Sequence, residues 1–466
     1  MSTADLCYLT IAEAAAQMRA KKLSPVELTA AHLERISALD GTLNAYITVL
    51  AERAMEQARA AERAFARGSV ASPLQGIPLA VKDLVYTRGI RTTAGSRILE
   101  DFVPDYDATV MEKLESAGAV LLGKLNLLEF AMGGTMTNVR FGATRNPWNT
   151  AHFPGGSSSG SGSGVAAGLA MGAIGTDTGG SIRGPAHNCG ILGLKPTYGR
   201  VSRHGVVPLS WSLDHVGPMT RTAEDCALML QAIAGHDPRE LASSAAPVDD
   251  YTAHLKDGVR GLRLGVLRKD AFHDLSADVA AAIESALGLF GELGARSHDV
   301  SLAHDLDART LYTAIAYPEA TAYHLEWMKT RIQEYGPNCR NRLEQGLGLL
   351  AVQYVQAQRA RKVLYQDYMA LFDDVDLLVA PTAPNTAPRL DAEAGGTVPG
   401  RAAATGVTNP ANLTGLPALA LPIGFGSDGL PVSLQLIARP FDEAAILRAA
   451  HAYQQAAGWH GRRPGV

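Results

Sequence analysis

The residues best suited to chemistry in this sequence are the serines of a glycine-rich segment and a single lysine far upstream of it. Between Gly155 and Gly190, 12 of 36 residues are Gly and 6 are Ser, although Gly is only about a tenth of the chain. A flexible linker can have this composition, but GGSSSGSGSG (155–164) leads directly into the apolar run VAAGLAMGAIG. Glycine at this density among apolar residues indicates a backbone that approaches another group closely.

Two short motifs in this segment suggest different chemistries. Residues 162–167 fit the GxGxxA pattern of dinucleotide-binding folds, but that pattern follows a buried strand, and the preceding NPWNTAHFP is polar with two prolines. Residues 156–160 fit GxSxG with Ser158 as nucleophile, but that elbow needs a strand directly before it and an acid and a histidine downstream. Neither interpretation is favoured, and the P-loop pattern GxxxxGK[ST] does not occur.

A third interpretation combines this segment with Lys82. Residues 155–186 resemble the signature of the amidase signature family, and GIPLAVKD (76–83) resembles the segment with that family's catalytic lysine. Other stretches resemble the family in the same order along the chain: GKLNLLEFAMG, FGATRNPWN, GLKPTYGRVSRHGVVPLSWSLDHVGPMTRTAEDCALML and NLTGLPALALPIG. The resemblance covers nearly the whole chain, and it predicts an amide hydrolase that works through an acyl-enzyme.

The resemblance implies a triad of two serines and a lysine. The lysine falls on Lys82, the serine that follows a cis peptide bond is Ser157, and the nucleophile is Ser181 of DTGGS. A serine hydroxyl attacks a carbonyl well only when a base removes its proton, so the lysine must be neutral. Lowering its pKa from about 10.4 to about 7 requires desolvation, which we expect from its apolar sequence neighbours Ile77, Leu79, Val81 and Leu84.

The expected mechanism is a proton relay through Ser157. Ser157 gives its proton to Lys82, accepts one from Ser181, and reverses the transfer when the amine leaves. We expect an oxyanion hole of backbone N–H groups from Thr178, Gly179, Gly180 and Ser181. By resemblance, the acyl site is lined by the backbone at Ala131, Met132 and Gly133.

Other polar residues near these motifs have structural interpretations. Ser158 and Ser159 are expected to support the loop by hydrogen bonds. Asp177 and Arg183 match family positions, and either a brace for the DTGGS turn or a catalytic role is open to them.

The substrate is the least determined part of the prediction. Residues 198–207 and 214–226 resemble the A subunit of the glutamyl-tRNA amidotransferase. An approximate alignment gives Thr405 where that protein has an aspartate, which would leave the ammonium of glutamine unpaired, so a stand-alone hydrolase of a small amide is favoured. Hydrolysis of carbamates or ureas and a role in a glutamine-dependent amidotransferase are the alternatives; a passive anion-binding protein is disfavoured.

Several residues bear on the shape of the substrate pocket. Leu125 replaces the threonine of the family's usual GKTN and makes that wall more apolar. The pocket is expected to include loops at 311–323 and 383–405. Tyrosines in the first of these favour either an aromatic substrate or core packing: Tyr312, Tyr317 and Tyr323.

These residues must be positioned by elements that the apolar pattern predicts. Short apolar runs indicate buried strands at 76–85, 119–122, 262–267, 377–380 and 432–437. Helical patterns alternate with them at 51–67, 223–234 and 277–290, and Ser24 to Glu27 has the pattern of a helix start with a capping box. The sequence predicts an α/β fold with a large mixed sheet covered by helices on both faces. Residues 1–466 are expected to form one domain with its catalytic core at about 70–220.

Composition narrows the class of partner. The chain is 47% hydrophobic and 19% charged, with a net charge of −4, and Lys and Arg form no stripe that would favour nucleic acid or a membrane. The four cysteines are widely spaced, without metal-binding motifs. We therefore expect a cytoplasmic monomer or homodimer with a small-molecule amide substrate, no metal and no cofactor.

Overall fold

The backbone is organised around one mixed β-sheet of 11 strands. The computed structural model describes residues 2–395 and 401–466, and side chains outside 393–405. The strands are β1 (Tyr46–Val49), β2 (Pro78–Lys82), β3 (Val120–Leu125), β4 (Gly172–Asp177), β5 (Leu192–Lys195), β6 (His215–Thr220), β7 (Arg263–Val266), β8 (Arg296–Asp299), β9 (Leu377–Pro381), β10 (Ala418–Phe425) and β11 (Pro431–Ile437). Their order in the sheet is β1-β3-β2-β4-β6-β5-β10-β11-β9-β7-β8.

Helices make up most of the remaining regular structure. They are α1 (Thr3–Cys7), α2 (Ile11–Arg19), α3 (Pro25–Leu43), α4 (Ala51–Ala66), α5 (Thr109–Ser116), α6 (Ser159–Ala166), α7 (Arg183–Cys189), α8 (Ala223–Ile233), α9 (Arg268–Ala271), α10 (Ala277–Glu292), α11 (Ala308–Arg331), α12 (Pro337–Leu347), α13 (Ala351–Leu371), α14 (Arg401–Thr414) and α15 (Glu443–Ala457). None of the described helices combines the length and the apolar character that a membrane span requires.

Both faces of the sheet are covered, as β2 shows. All five of its residues are buried, and successive side chains of a strand point to opposite faces. Leu79 and Val81 belong to one hydrophobic cluster and Ala80 belongs to another. The predicted α/β architecture, with a large mixed sheet between helical layers, is therefore confirmed.

The strands that position the site are β2 and β4. They are parallel neighbours, with Val81 opposite Ile174, so their carboxyl ends lie at the same edge of the sheet. Lys82 ends β2, and the DTGGS sequence follows from the end of β4. This topology brings together two segments that are about a hundred residues apart in the chain.

The predicted strands and helices are confirmed, with differences at four places. Of the loop expected at 383–405, residues 401–405 belong to α14 and residues 396–400 lie outside the described residues. Residues 311–323 lie within the helix α11 and not in a loop. Ser24 caps α3 by accepting hydrogen bonds from the N–H groups of Val26 and Glu27, but its own hydroxyl donates to Glu62 and no capping box forms. The second half of the glycine-serine run, which was expected to be loop, forms α6.

Close packing around the glycines of α6 stabilises this helix, whose residues have low helix propensity. A side-chain carbon added at Gly160 would lie 2.2 Å from the carbonyl oxygen of Ala45. Every residue of α6 is buried, so tertiary packing outweighs the low helix propensity of glycine. The expectation that this segment approaches other backbone closely is confirmed at Gly160.

Candidate active site

Lys82 lies in a polar pocket at the end of β2, and its side chain is fully buried. Its Nζ donates to three hydroxyls: Ser157 Oγ at 2.7 Å, Thr176 Oγ1 at 2.8 Å and Ser158 Oγ at 3.0 Å. Strand alternation turns Leu79 and Val81 to the opposite face of the sheet. Leu79 and Val81 therefore do not surround the amine, contrary to the expectation for these two residues, whereas the burial expected for Lys82 itself is confirmed.

Burial lowers the pKa of Lys82 to about 7, while the carboxylates of Asp177 and Asp214 act in the opposite direction. A neutral amine has two hydrogens and one lone pair, whereas the ammonium form has three hydrogens and none. In the neutral form, one of the three hydroxyls must therefore donate to Nζ. Ser157, which makes the shortest contact, is best placed to do so.

The loop before α6 supplies two of these hydroxyls. The peptide bond between Gly156 and Ser157 is cis, as the resemblance implies. Ser158 Oγ also donates to the carbonyl of Thr176 at 3.2 Å, and the N–H of Ser158 donates to the carbonyl of Ser181 at 3.3 Å. Ser158 therefore supports the loop, as expected, and also contacts the lysine, which the sequence did not predict. Ser159 Oγ is buried without a partner in the described part of the chain.

Ser181 lies on the turn between β4 and α7. It is half-buried and lines a cavity of about 570 Å³ together with Gly155 and Gly156. Its hydroxyl makes no hydrogen bond to the residues that the structure describes, whereas Lys82 and Ser157 are fully buried and do not line the cavity. The structure thus presents one hydroxyl to the cavity and keeps the other two groups behind it.

Asp177 holds the turn in shape. Its carboxylate accepts from the N–H groups of Gly180 at 2.7 Å, Ile182 at 3.1 Å and Arg183 at 3.3 Å. The Arg183 guanidinium donates to both carboxylate oxygens at 3.1 Å. Burial alone would raise the pKa of Asp177, but Arg183, Lys195 and the amide of Asn412 hold it well below its usual range. These contacts give Asp177 and Arg183 a bracing role.

The four backbone amides that were expected to form an oxyanion hole differ in their availability. The N–H groups of Gly179 and Ser181 have no acceptor among the described residues, and both residues line the cavity. The N–H of Gly180 already donates to the Asp177 carboxylate. A hydrogen bonded to one carboxylate is a weaker donor to a second anion, so Gly180 is less available as an oxyanion donor than we expected. Thr178 does not line this cavity; its hydroxyl donates to Asp214 at 2.6 Å.

The turn also requires glycine. An added side-chain carbon at Gly180, where φ is +115°, would lie 2.5 Å from Thr408 Oγ1. The same addition at Gly179 would lie 2.9 Å from Asn409 Oδ1 and from a ring carbon of Tyr312. Helices α11 and α14 therefore pack directly against the backbone next to Ser181.

The predicted acyl-site segment is only partly in contact with the cavity. Ala131 and Gly133 line it. The Met132 side chain is buried in the hydrophobic core, with its sulfur 3.5 Å from the sulfur of Cys339. The chain turns at Ala131, where φ is +59°, and directs the Met132 side chain away from the cavity. Met132 is not among the residues that line the cavity, and the acyl-site role of the backbone at 131–133 stays a prediction.

The cavity contains a charged group that the sequence did not single out. Arg342 of α12 lines it, and no carboxylate lies within ion-pair distance of its guanidinium in the part of the chain that the structure describes. It lies 5.5 Å from the ring centre of Tyr317. Of the three tyrosines, only Tyr312 lines the cavity; Tyr323 packs against Trp327.

A smaller cavity of about 230 Å³ also borders the site. Thr176, Thr178 and Asp214 line it, and Ala131 lines both cavities. Burial raises the pKa of Asp214 to about 6, against the lowering effect of the Thr178 hydroxyl and of Arg203. A titratable carboxyl is therefore within electrostatic reach of Lys82.

Comparison with known proteins identifies the family of this chain. The model of the family described as Amidase matches residues 27–447. The chain belongs to the amidase family. This amidase is 46% identical, over 99% of both chains, to the A subunit of the glutamyl-tRNA(Gln) amidotransferase of Moorella thermoacetica. Members of the family act on carbon–nitrogen bonds, so the chain is an enzyme of that class.

Two solved structures resemble the amidase throughout. One is a chain of the inhibitor-bound vestigial protein complex reported for an s-triazine catabolic enzyme, with a TM-score of 0.91 and 36% identity over 97% of this chain and 99% of that one. The other is the native peptide amidase of Stenotrophomonas maltophilia, with a TM-score of 0.86 and 34% identity over 98% of both chains. The relatives therefore share the fold but differ in the reactions that their names describe.

Proposed function

We propose that the chain hydrolyses a small-molecule amide through an acyl-enzyme on Ser181, with Ser157 as proton relay and Lys82 as base. The observation that carries this proposal is the buried Lys82 amine, 2.7 Å from Ser157 Oγ, with a pKa lowered to about 7. A lysine in this state can accept a proton near neutral pH. Ser181, with its hydroxyl free in the cavity, is the group that needs such a base.

The proposed reaction has two halves. Ser181 Oγ attacks the carbonyl carbon and its proton passes to Ser157, whose own proton moves to the lone pair of Lys82. The N–H groups of Gly179 and Ser181 bind the oxyanion. Lys82 then returns its proton through Ser157 to the leaving nitrogen, the C–N bond breaks, and the amine departs. Water attacks the ester through the same relay and releases the acid.

Labelling of the nucleophile tests this assignment. Treatment with a fluorophosphonate, followed by peptide mapping by mass spectrometry, is expected to place one adduct on Ser181. The variant Ser181→Ala should take up no label, and the label on Ser158→Ala should still be found at Ser181. An adduct on Ser158, or none in the wild type, would contradict the proposal.

Arg342 bears on the substrate. A guanidinium that lines a cavity and has no carboxylate partner among the described residues favours an anionic group on the ligand, because it can bind a carboxylate through two parallel hydrogen bonds. This favours amides that carry a carboxylate, and it supports a second candidate, hydrolysis of glutamine as the glutaminase component of an amidotransferase. The side chain of Thr405, on which the sequence argument against glutamine depended, lies outside the described residues.

A direct comparison of substrates separates the two candidates. Ammonia release from glutamine, alone and with a candidate partner protein, should be measured beside turnover of aryl amides, aliphatic amides, carbamates and ureas. Turnover of simple amides without a partner supports the stand-alone hydrolase, and glutamine turnover only with a partner supports the amidotransferase component. The cytoplasmic location, the monomeric or homodimeric state and independence from any cofactor stay predictions.

A further inference from the structure

Asn409, on α14, is a buried polar side chain in the cavity that the proposed reaction does not use. It has no exposed surface and lines the cavity that contains Ser181. Neither its Oδ1 nor its Nδ2 has a hydrogen-bond partner among the described residues. A fully buried carboxamide with both groups unpaired is rare in proteins.

The other buried asparagines of the described chain do not share this property. Their amide nitrogens donate to carbonyl or carboxylate oxygens, in each case at 3.2 Å or less: Asn126, Asn138, Asn146, Asn188 and Asn412. The fold therefore provides hydrogen-bond partners for the amides of its other buried asparagines, and Asn409, at the cavity, is the exception.

The position of this amide relates it to the reacting centre. Asn409 Oδ1 lies 2.9 Å from the point that a side-chain carbon on Gly179 would occupy. Gly179 is two residues before Ser181 and supplies a proposed oxyanion donor. The adjacent Thr408 fixes this arrangement, because its Oγ1 donates to the carbonyl of Gly179 at 2.9 Å. A ligand group bound by Asn409 would thus be part of the same molecule whose carbonyl Ser181 attacks.

We infer that Asn409 recognises a second amide-type group in the substrate, either a carboxamide or the –CO–NH– edge of a urea. The side chain offers an N–H donor and a C=O acceptor side by side, and an amide-type group, which presents an acceptor beside a donor, satisfies both at once with two parallel hydrogen bonds. Rotation of the Asn409 carboxamide by half a turn, which exchanges the positions of Oδ1 and Nδ2, leaves the same pair of groups available to the ligand. A carboxylate would satisfy only the donor, and an ammonium only the acceptor. The inference rests on the proposed function for its reacting centre.

Binding to a protein that cannot react tests the inference without requiring turnover. The variant Ser181→Ala should be titrated by calorimetry with succinamide, glutaramide and adipamide. Each is compared with the monoamide in which an isopropyl group replaces the second carboxamide. At least one diamide is expected to bind ten times or more tightly than its apolar analogue, because an analogue without the polar group leaves the Asn409 amide unpaired.

Substitution of Asn409 should remove that preference. In the Ser181→Ala background, Asn409→Leu is expected to bind the diamide and its analogue within threefold of each other. Asn409→Asp, which keeps the shape but loses the donor, should also lose the preference and serves if the Leu variant unfolds. Asn341→Leu, the same change on the exposed face of α12, is the matched control and should retain it.

Two results would overturn the inference. The first is equal binding of every diamide and its analogue to the Ser181→Ala protein, and the second is a preference that survives both substitutions of Asn409. Failure of the proposed reaction is detected separately, by the absence of fluorophosphonate labelling at Ser181 in the wild type.

Discussion

In the proposed reaction, the protonation state of Lys82 controls whether Ser157 can transfer its proton. Below its pKa of about 7, the ammonium form has no lone pair to accept the proton, so kcat/KM for a neutral amide should fall about tenfold per pH unit. Above that pH the rate should reach a plateau. A pH profile from 5 to 9 checks this, with Lys82→Met, which should lose at least a thousandfold, as the reference. A flat profile, or a limb near pH 10, would contradict the role of the lysine.

Asp214 affects the pKa of Lys82 without contacting it. Its negative charge raises the pKa of Lys82, so removal of that charge by Asp214→Asn should move the acidic limb of the profile to lower pH. At pH 6, the variant should therefore retain a larger fraction of its own plateau rate than the wild type. Asp249→Asn, at an exposed position, should leave the limb in place. A shift toward higher pH in Asp214→Asn would have the wrong sign for this interaction.

Helix α6 offers a comparison of two glycines that differ only in their surroundings. At Gly160, an added methyl would lie 2.2 Å from the Ala45 carbonyl oxygen and 2.6 Å from the Asn126 nitrogen, both backbone atoms, whereas at Gly164 the nearest atom would be 3.6 Å away. Gly160→Ala should lower the free energy of unfolding by about 3 kcal/mol or more, as overpacking does. Gly164→Ala should change it little or raise it by up to about 1 kcal/mol.

Urea unfolding followed by circular dichroism measures both variants. Fluorophosphonate labelling provides a second readout, because Gly160 lies in the first turn of the helix that follows the Ser157 loop. Labelling of Ser181 should be slowed in Gly160→Ala and unchanged in Gly164→Ala. Equal stability of the two variants would show that space around α6 does not explain its glycines.

The sequence predicted the helices and strands that are determined by residue patterns within the element itself. Short apolar runs between turn residues predicted β2, β7, β9 and β11, and a capping serine predicted the start of α3. It did not predict α6, because glycine and serine have low helix propensity and only packing against distant segments holds them. It also did not predict α11, whose polar and aromatic residues were interpreted as a pocket loop.

The residues of the site also fall into those that the sequence indicated and those that it did not. Motif resemblance identified Lys82, Ser157 and Ser181, and the structure brings the first two into contact while Ser181 faces the cavity. It gave no indication of Thr176, which is 94 residues from Lys82 in the chain, nor of Arg342 and Asn409. Thr176 enters the site through the pairing of β4 with β2, and Arg342 and Asn409 enter it through the packing of α12 and α14 around the cavity. No local sequence pattern carries that information.

The earlier and the later strands of the chain form two groups that meet at a single strand pair in the sheet. Strands β1 to β6 lie on one side and β7 to β11 on the other, and the two groups meet where β5 pairs with β10, with Leu194 opposite Leu419. The later strands and helices also complete the earlier site. Arg183 donates to Gln435 at 3.0 Å and to Asn412 at 2.6 Å. The prediction of one domain is not tested by these contacts, but they give it a physical basis.

A division of the chain in the loop after Gly258 tests that prediction. The fragment 1–258 contains the triad and the catalytic core expected at about 70–220, but it would expose the hydrogen-bonding edge of β5 and leave the buried Arg183 without two of its partners. We expect the fragment alone to aggregate and to label at Ser181 at least a hundredfold more slowly than the full chain. Co-expression with residues 259–466 should restore labelling, because the β5–β10 pairing can re-form between chains. Labelling of the isolated fragment at the rate of the full chain would instead establish residues 1–258 as a domain of their own.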